Sequence, residues 1–309
     1  GVLFLLGVHS AVFGPVKYAV LPQHLAPDEL VAGNALVDAG TFLAILSGTL
    51  LGAATILAPH GALWLGGIGL AAALAGWAVA RAMPAAGPMD FGAAARPRLF
   101  ADSIAVLRDT FAQRDLSGPI LALSWFWALG AVVVSGLPVL ARETLGAAES
   151  AVNLMLAIFA LGIGVGSMLA NRLQRGIVTA APVPVAALAM ALGSLVVALG
   201  AGGAGAGPAT LAEILGRPAS WRFLAGLGGL AVAGGAFAVP LYALLLRRSD
   251  PARRARVIAA NNIANALAMA MMSLASAALL GAGWSMPGVI GCCGAAGLAI
   301  AIAWRRRAD

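Results

Sequence analysis

The stretch Phe223–Leu246 reads FLAGLGGLAVAGGAFAVPLYALLL and carries no charged side chain over 24 residues. About 20 apolar residues are enough for a helix to cross the hydrocarbon core of a bilayer. Eight further apolar stretches of similar length flank this one, so the sequence predicts an all-α membrane protein with nine transmembrane helices. The predicted spans are Val2–Leu21, Val31–Leu57, Ala62–Val79, Pro119–Ala141, Ala151–Ala170, Ala180–Gly200, Phe223–Leu246, Val257–Leu280 and Met286–Trp304.

The composition of the whole chain agrees with this reading. Of its 309 residues, 61% are hydrophobic and only 10% are charged, and the mean hydropathy is +0.95. Soluble domains have about 45–50% apolar and about 25% charged residues. The composition therefore excludes a soluble domain, a disordered chain and a disulfide-rich secreted scaffold. The only two cysteines, Cys292 and Cys293, are adjacent and are interpreted as packing residues.

The positive charges fix the predicted orientation. If the N-terminus faces outward, sixteen of the 19 lysines and arginines fall on the cytoplasmic side, and only Arg142, Arg217 and Arg222 fall outside. Cytoplasmic loops carry the excess of Lys and Arg, so the C-terminus is predicted to be cytoplasmic. The net charge of +7 is thereby explained by topology, and no nucleic-acid partner is predicted.

An internal repeat gives the domain organisation. Similar segments end the first and seventh predicted spans and open the spans that follow, so the repeat unit is six spans, a known transporter plan. The matching positions are Phe13 with Phe237, Tyr18 with Tyr242, Asn34 with Asn261 and Asp38 with Asn265. We therefore expect a partial N-terminal bundle of three spans at 1–81 and a C-terminal six-helix bundle at 119–309. Three further N-terminal spans are expected to be missing from a twelve-span protein.

The segment 82–118 is predicted to be the cytoplasmic loop between the two bundles. Within it, Phe100, Ile104, Leu107 and Phe111 recur at helical spacing, with polar residues between them. This pattern predicts a short amphipathic helix on the inner membrane surface or across the bundles.

A loop motif resembles the major facilitator superfamily. The run Gly166-Ser-Met-Leu-Ala-Asn171-Arg172-Leu-Gln-Arg175-Gly176 is similar to the superfamily's G-x4-D-R-x-G-R-R loop, with Asn171 in place of the acid. The resemblance implies a major facilitator fold with alternating access. It also implies an inner gate that includes Gly166, Asn171, Arg172 and Arg175. Gly162 and Gly166 have GxxxG spacing, which predicts close helix packing.

The first sixty residues resemble the bacterial lysophospholipid transporter family, including its forms fused to an acyltransferase and an acyl-carrier-protein ligase. The similarity lies in FGPVKYAVLPQHL from Phe13 and ELVAGNALVDAGTFLAIL from Glu29. It implies transport of lysophospholipid, chiefly lysophosphatidylethanolamine, from the outer to the inner leaflet of the bacterial inner membrane. It also implies a fused or neighbouring acyltransferase. The span with Trp125 and Trp127 lacks the arginine that stand-alone family members carry there.

Polar residues within apolar spans are the candidate functional residues, because charge in a membrane is expensive and polar amides there act at interfaces. Lys17 and Asp38 lie at similar depth on consecutive spans, so an ion pair is predicted, with Lys17 meeting a lipid phosphate or a gating acid. Trp125 and Trp127 are predicted to be interfacial anchors, with stacking on a substrate as the alternative. The substrate or gating candidates are Lys17, Tyr18, Asn34, Asp38, Tyr242, Asn261 and Asn265, and the candidate hinges are Pro15 and Pro240.

No metal site, cofactor or enzymatic motif is predicted, and the expected partners are membrane lipid and the lysophospholipid itself. Two alternatives stay open at this point. The chain could be a generic major facilitator carrier that exports a drug or another small molecule. It could also be the membrane anchor of a fused lipid acyltransferase, with Arg305, Arg306 and Arg307 facing inward.

Overall fold

The structure is a computed structural model, and it describes most of the chain as helix. The described residues are 20–26, 28–56, 58–84, 99–146, 149–175, 177–200, 211–251 and 253–308, with the single positions Leu5, His9 and Phe13. Within these ranges there are eleven helices and no strand. They are α1 (Leu21–His24), α2 (Leu30–Ile56), α3 (Gly61–Ala82), α4 (Leu99–Phe111), α5 (Arg114–Leu145), α6 (Glu149–Gln174), α7 (Pro182–Gly200), α8 (Leu211–Gly216), α9 (Pro218–Arg248), α10 (Arg254–Gly281) and α11 (Met286–Ala308).

Seven of the described helices are long and apolar enough to cross a membrane. These are α3, α5, α6, α7, α9, α10 and α11. The first predicted span, Val2–Leu21, lies outside the described residues except for single positions, and the second coincides with the 27-residue helix α2. The count of nine spans therefore stays a prediction.

Helix α9 is the central helix of the bundle. It is the most deeply buried of the seven spans and packs against α2, α5, α6 and α7. It meets α6 backbone to backbone, because glycines line both sides of the contact. A methyl group at Gly235 would lie 2.7 Å from the amide nitrogen of Ser167, and one at Gly166 would overlap the carbonyl of Val232. The close packing predicted from Gly162 and Gly166 is confirmed.

Helix α2 packs mainly against α6 and also contacts α9. A methyl group added at Gly164 of α6 would lie 3.9 Å from Cβ of Ala39, in ordinary van der Waals contact. The main packing partner of helix α3 is α2, and α3 leaves Leu63, Trp64 and Trp77 exposed. The short helix α4 occupies part of the segment between the predicted bundles and packs against α5 and α10.

Helix α5 begins at Arg114, five residues before the predicted start at Pro119. A proline within a helix removes the N–H that would bond to the carbonyl four residues earlier. Here that carbonyl belongs to Asp115, and Nη1 of Arg248 donates to it over 3.2 Å. The end of α9 thus replaces the missing donor at the start of α5, and the helix continues through Pro119.

We expect Gly235→Ala to lower the free energy of unfolding by about 1–3 kcal/mol, because the added methyl group forces the α6 and α9 backbones apart. Gly229→Ala in the same helix is the matched control, since a methyl group there meets no atom within 4 Å. Thermal unfolding in detergent micelles measures both variants. Equal midpoints for the two would contradict the close contact.

Candidate functional site

An apolar cavity of about 200 Å³ lies where α2 meets the helices of the 119–309 segment. Among the described residues of its lining, the indole nitrogen of Trp127 is the only side-chain N–H or oxygen group. Pockets lined mainly by hydrophobic and aromatic side chains with few polar groups are typical of small-molecule sites. The lining residues are Ile45, Phe126, Trp127, Gly130, Ala131, Val134, Leu156, Phe159, Ala160, Ile163 and Met269.

Toward one end of this cavity, polar residues lie on the same helix faces as the residues that line it. Asp38 precedes Ile45 by seven residues on α2, Asn265 precedes Met269 by four on α10, and Ser124 precedes Trp127 by three on α5. Residues at these spacings share a face of a helix. We call Asn34, Asp38, Ser124 and Asn265 the polar layer.

The members of the polar layer lie toward the same end of the cavity. Helices α5 and α10 run parallel, because Ser124 is bonded to Asn265 and both Trp127 and Met269 line the cavity one turn later. Consecutive α5 and α6 run antiparallel. Helix α2 is also antiparallel to α6, since Ala39 faces Gly164 while Ile45 meets the cavity beside Leu156 and Ala160. Helices α2, α5 and α10 therefore have the same direction.

Two hydrogen bonds between helices organise the polar side of the site. The hydroxyl of Ser124 donates to Oδ1 of Asn265 over 3.0 Å, and this bond is buried. Nε1 of Trp127 donates to the hydroxyl of Tyr242 over 2.8 Å, which ties α5 to α9 at the edge of the cavity. Tyr242 itself is almost fully buried.

Asn34 and Asp38 are both buried, at 0% and 4% exposure, although they are polar. Nδ2 of Asn34 donates to the carbonyl of Leu30 over 2.8 Å, but its Oδ1 accepts no hydrogen bond from the described residues. Oγ of Ser167, on α6 one turn after Gly164, and Oδ1 of Asn261 are likewise buried without a bond in the described ranges. Buried polar atoms are normally paired with protein or water, so these three are acceptors whose donors are not among the described residues.

Three of the sequence-predicted site residues, Pro15, Lys17 and Tyr18, lie outside the described residues. The Lys17–Asp38 pair therefore stays a prediction. Pro240 is buried in the middle of α9, which continues past it to Arg248.

The predicted gate residues are distributed along the second half of α6. Gly166 lies in the contact with α9, Asn171 is half-buried, and Arg172 and Arg175 are exposed. Arg175 has a left-handed φ of 48°, and its N–H donates to the carbonyl of Asn171 over 3.1 Å. The structure thus places the arginines at the end of the helix and the glycine inside its packing surface.

The prediction of an interfacial anchor is wrong for Trp125. Trp125 is 8% exposed, and its Nε1 donates to the carbonyl of Cys293 over 3.1 Å. Its ring fits against α11 because Gly297 has no side chain: a methyl group there would lie 2.9 Å from the indole. Trp127 lines the apolar cavity.

Sequence reasoning missed Ser124 and Ser167 as site residues. A single serine in an apolar span is a weak signal, because its hydroxyl commonly bonds to a carbonyl of its own helix. Ser194 does so, donating to Met190 over 2.9 Å. In the part of the chain that the structure describes, no three His, Cys, Asp or Glu side chains are grouped where they could hold a metal ion.

The chain is similar to bacterial lysophospholipid transporters. It is 30% identical over 178 residues to the lysophospholipid transporter LplT of Yersinia enterocolitica, a match that covers 54% of this chain and 42% of that protein. The match to LplT of Pectobacterium carotovorum is 30% identical over 174 residues and covers 55% of this chain and 42% of that protein. The chain therefore matches less than half the length of these relatives. No protein-family model matches it.

Two solved transporter structures share the arrangement of helices. A bacterial homologue of the iron transporter ferroportin, in its outward-facing state, has a TM-score of 0.68 at 14% identity, covering 96% of this chain and 70% of that one. The fucose:proton symporter of E. coli has a TM-score of 0.60 at 15% identity, with coverage of 98% and 74%. The predicted all-α membrane protein with a major facilitator fold is confirmed, and so is the resemblance to lysophospholipid transporters.

We expect Ser124→Ala to lower the free energy of unfolding by about 0.6 kcal/mol through the lost bond to Asn265, the average for such bonds between membrane helices. A double-mutant cycle with Asn265→Ala measures the coupling energy. Ser135→Ala is the control, because this exposed serine of the same helix bonds only to its own helix, at the carbonyl of Val132. Zero coupling between positions 124 and 265 would contradict the bond.

Proposed function

We propose that the protein transports lysophospholipid, chiefly lysophosphatidylethanolamine, from the outer to the inner leaflet of the bacterial inner membrane. The observation that carries this proposal is the apolar cavity at the contact between α2 and the 119–309 helices, with the residues of the polar layer further along the helix faces that line it. The similarity to bacterial lysophospholipid transporters supports the same substrate class.

The two parts of the site match the two parts of this substrate. A lysophospholipid has one acyl chain and one charged headgroup, and a polar group is costly to bury without hydrogen bonds. The apolar lining receives the acyl chain. Asn34, Ser167 and Asn261 offer acceptors to the ammonium and hydroxyl groups of the headgroup, and Lys17 contacts the phosphate.

The fold supplies a route for alternating access. In this mechanism the segment 1–81 and the segment 119–309 rock about the site between them. Ala39 and Gly164 meet at this boundary, and small side chains let two helices slide without interlocking. The segment from Gly166 to Arg175 at the end of α6, with Asn171 and Arg172, forms the inner gate, and the C-terminus lies in the cytoplasm, on the side favoured by the arginines.

A generic carrier for another small molecule has the same fold, so the fold alone does not choose between the two substrates. The cavity lining does favour an amphiphile, because a sugar or another polar solute needs hydrogen-bonding groups around it. The relatives are transporters, which agrees with a transport role rather than an enzymatic one.

We expect Gly130→Leu to reduce uptake of labelled lysophosphatidylethanolamine at least tenfold, because the leucine side chain fills the cavity. Gly130 lines the cavity, and a Cβ added there meets no atom within 4 Å, so the larger side chain starts into the open space of the cavity. The measurement uses the natural protein in cells that lack their own lysophospholipid transporter. Gly229→Leu, at an exposed glycine of α9 away from the cavity, is the control and retains full uptake.

Lys17→Ala and Asp38→Asn are each expected to reduce uptake at least tenfold while the protein remains folded in the membrane, because both charges serve the headgroup path. Uptake assays measure transport by each variant. The amount of folded protein in the membrane is measured in parallel, so that a loss of transport is separated from a loss of protein. If the unmodified protein is folded and gives no uptake of the lipid, the generic carrier replaces the lysophospholipid transporter as the function.

A further inference from the structure

A small pocket adjoins the apolar cavity of the candidate site, on the side away from α2. It lies between α5, α6, α7 and α9 and has a volume of about 10 Å³. We call it the rear pocket. Four residues line both the cavity and the rear pocket and so form the wall between them. They are Phe126 and Gly130 of α5, with Phe159 and Ile163 of α6.

This wall is open at Gly130 and fixed beside it. A Cβ built on Gly130 would meet no atom within 4 Å, so there is free space where a side chain would stand. The neighbouring ring of Phe126 is held by its surroundings. It packs against Gly234 of α9, where an added Cβ would lie 3.0 Å from Cε2 of the ring, and it meets the ring of Trp127 edge to face with the centroids 5.5 Å apart. The two spaces therefore meet at a glycine next to an immobilised ring.

The chemistry of the rear pocket suits the end of a hydrocarbon chain. A buried water needs about two to four polar partners, whereas the described residues that line the rear pocket have apolar side chains or none. Its volume is about that of a single water-sized group, which is also the space that one methyl group needs. An acyl chain that lies in the cavity ends in such a methyl group.

Met190 closes the rear pocket on the side away from the cavity. It lies on α7, a helix that supplies none of the described residues lining the cavity, and its side chain is 2% exposed. Methionine is unbranched and fills irregular gaps in a core. The thioether of Met190 therefore marks the limit of the space that begins in the cavity and continues past Gly130.

We propose that Met190 determines the length of the acyl chain that the protein accepts. The terminal methyl group of the chain passes Gly130, enters the rear pocket and stops against the Met190 side chain. This inference rests on the proposed function, because it concerns the acyl chain of the lysophospholipid. A buried methylene strengthens binding about fourfold, so a pocket that is deeper or shallower changes the preference among lipids with the same headgroup.

The test is uptake of an equimolar mixture of lysophosphatidylethanolamines whose acyl chains range from lauroyl to arachidoyl. Cells that lack their own lysophospholipid transporter produce the natural protein, and mass spectrometry measures each lipid taken up. Ratios within one sample do not depend on the amount of transporter in the membrane. Met190→Ala removes the three outer non-hydrogen atoms of the side chain, which makes room for about two methylenes. We expect the next longer even-numbered chain to become the preferred one, with its relative uptake raised about fourfold or more.

Met155→Ala is the matched control. Met155 is fully buried on α6 and is not among the described residues that line the cavity or the rear pocket. The same truncation of a buried methionine is expected to leave the preferred chain length unchanged.

Val133→Leu tests the rear pocket in the opposite direction. Val133 lines the rear pocket and is not among the described residues lining the cavity. The added carbon occupies the space of the terminal methyl group, so the preference shifts to the next shorter chain. Because this change adds a single carbon next to an existing space, it decides the matter even if Met190→Ala fails to fold.

The possible outcomes separate this inference from the proposed function. An identical chain-length profile in the unmodified protein, Met190→Ala and Val133→Leu overturns the role of Met190 and leaves lysophospholipid transport in place. An equal shift in Met155→Ala also overturns it, because loosened packing would then be the cause. If the unmodified protein is folded in the membrane and takes up none of the lipids, the proposed function fails, and the inference fails with it.

Discussion

The contact between α6 and α9 is the constraint on which the arrangement of the other helices depends. In a bilayer the hydrophobic effect does not drive helices together, so association rests on close packing and on hydrogen bonds. Gly162, Gly166 and Gly235 remove the side chains from this contact, and the two backbones approach directly. With α9 held there, α5 and α7 pack around it, and α2 packs mainly against α6.

The candidate site follows from how this bundle distributes polarity. A charged group at the centre of a membrane helix costs about 2.5–3.5 kcal/mol on insertion scales, so such groups are retained where helices face one another. Asn34 and Asp38 are buried on α2, which packs against α6 and α9, and Asn265 is bonded to Ser124 across two helices. The described residues that line the neighbouring cavity are almost all apolar. The boundary between α2 and the 119–309 helices therefore has a polar part and an apolar part that follow each other along the helices. An amphiphilic molecule has the same division.

Much of the fold could be predicted from the sequence, because length and apolarity alone define spans and GxxxG spacing defines a packing surface. The start of α5 at Arg114 could not be predicted in this way. Pro119 is normally evidence against a helix interior, and the donor that compensates for it, Arg248, is 133 residues away from Asp115 in sequence. Trp125 was misplaced for a similar reason: interfacial tryptophan is common, and the space for its ring comes from Gly297 in another helix. The polar pairs of the repeat were found because asparagine and aspartate are rare in spans, whereas Ser124 and Ser167 are ordinary there.

The bond from Arg248 to the carbonyl freed by Pro119 links two positions whose substitutions should not be independent. With a residue other than proline at 119, the backbone N–H of that residue bonds to the same carbonyl, and the guanidinium is no longer its only donor in the protein. With a residue at 248 that has no side-chain donor, this exposed carbonyl is left to water. Across related chains, proline at 119 and arginine at 248 are therefore expected to be gained and lost together. Such paired changes are the evolutionary signature of one missing hydrogen-bond donor.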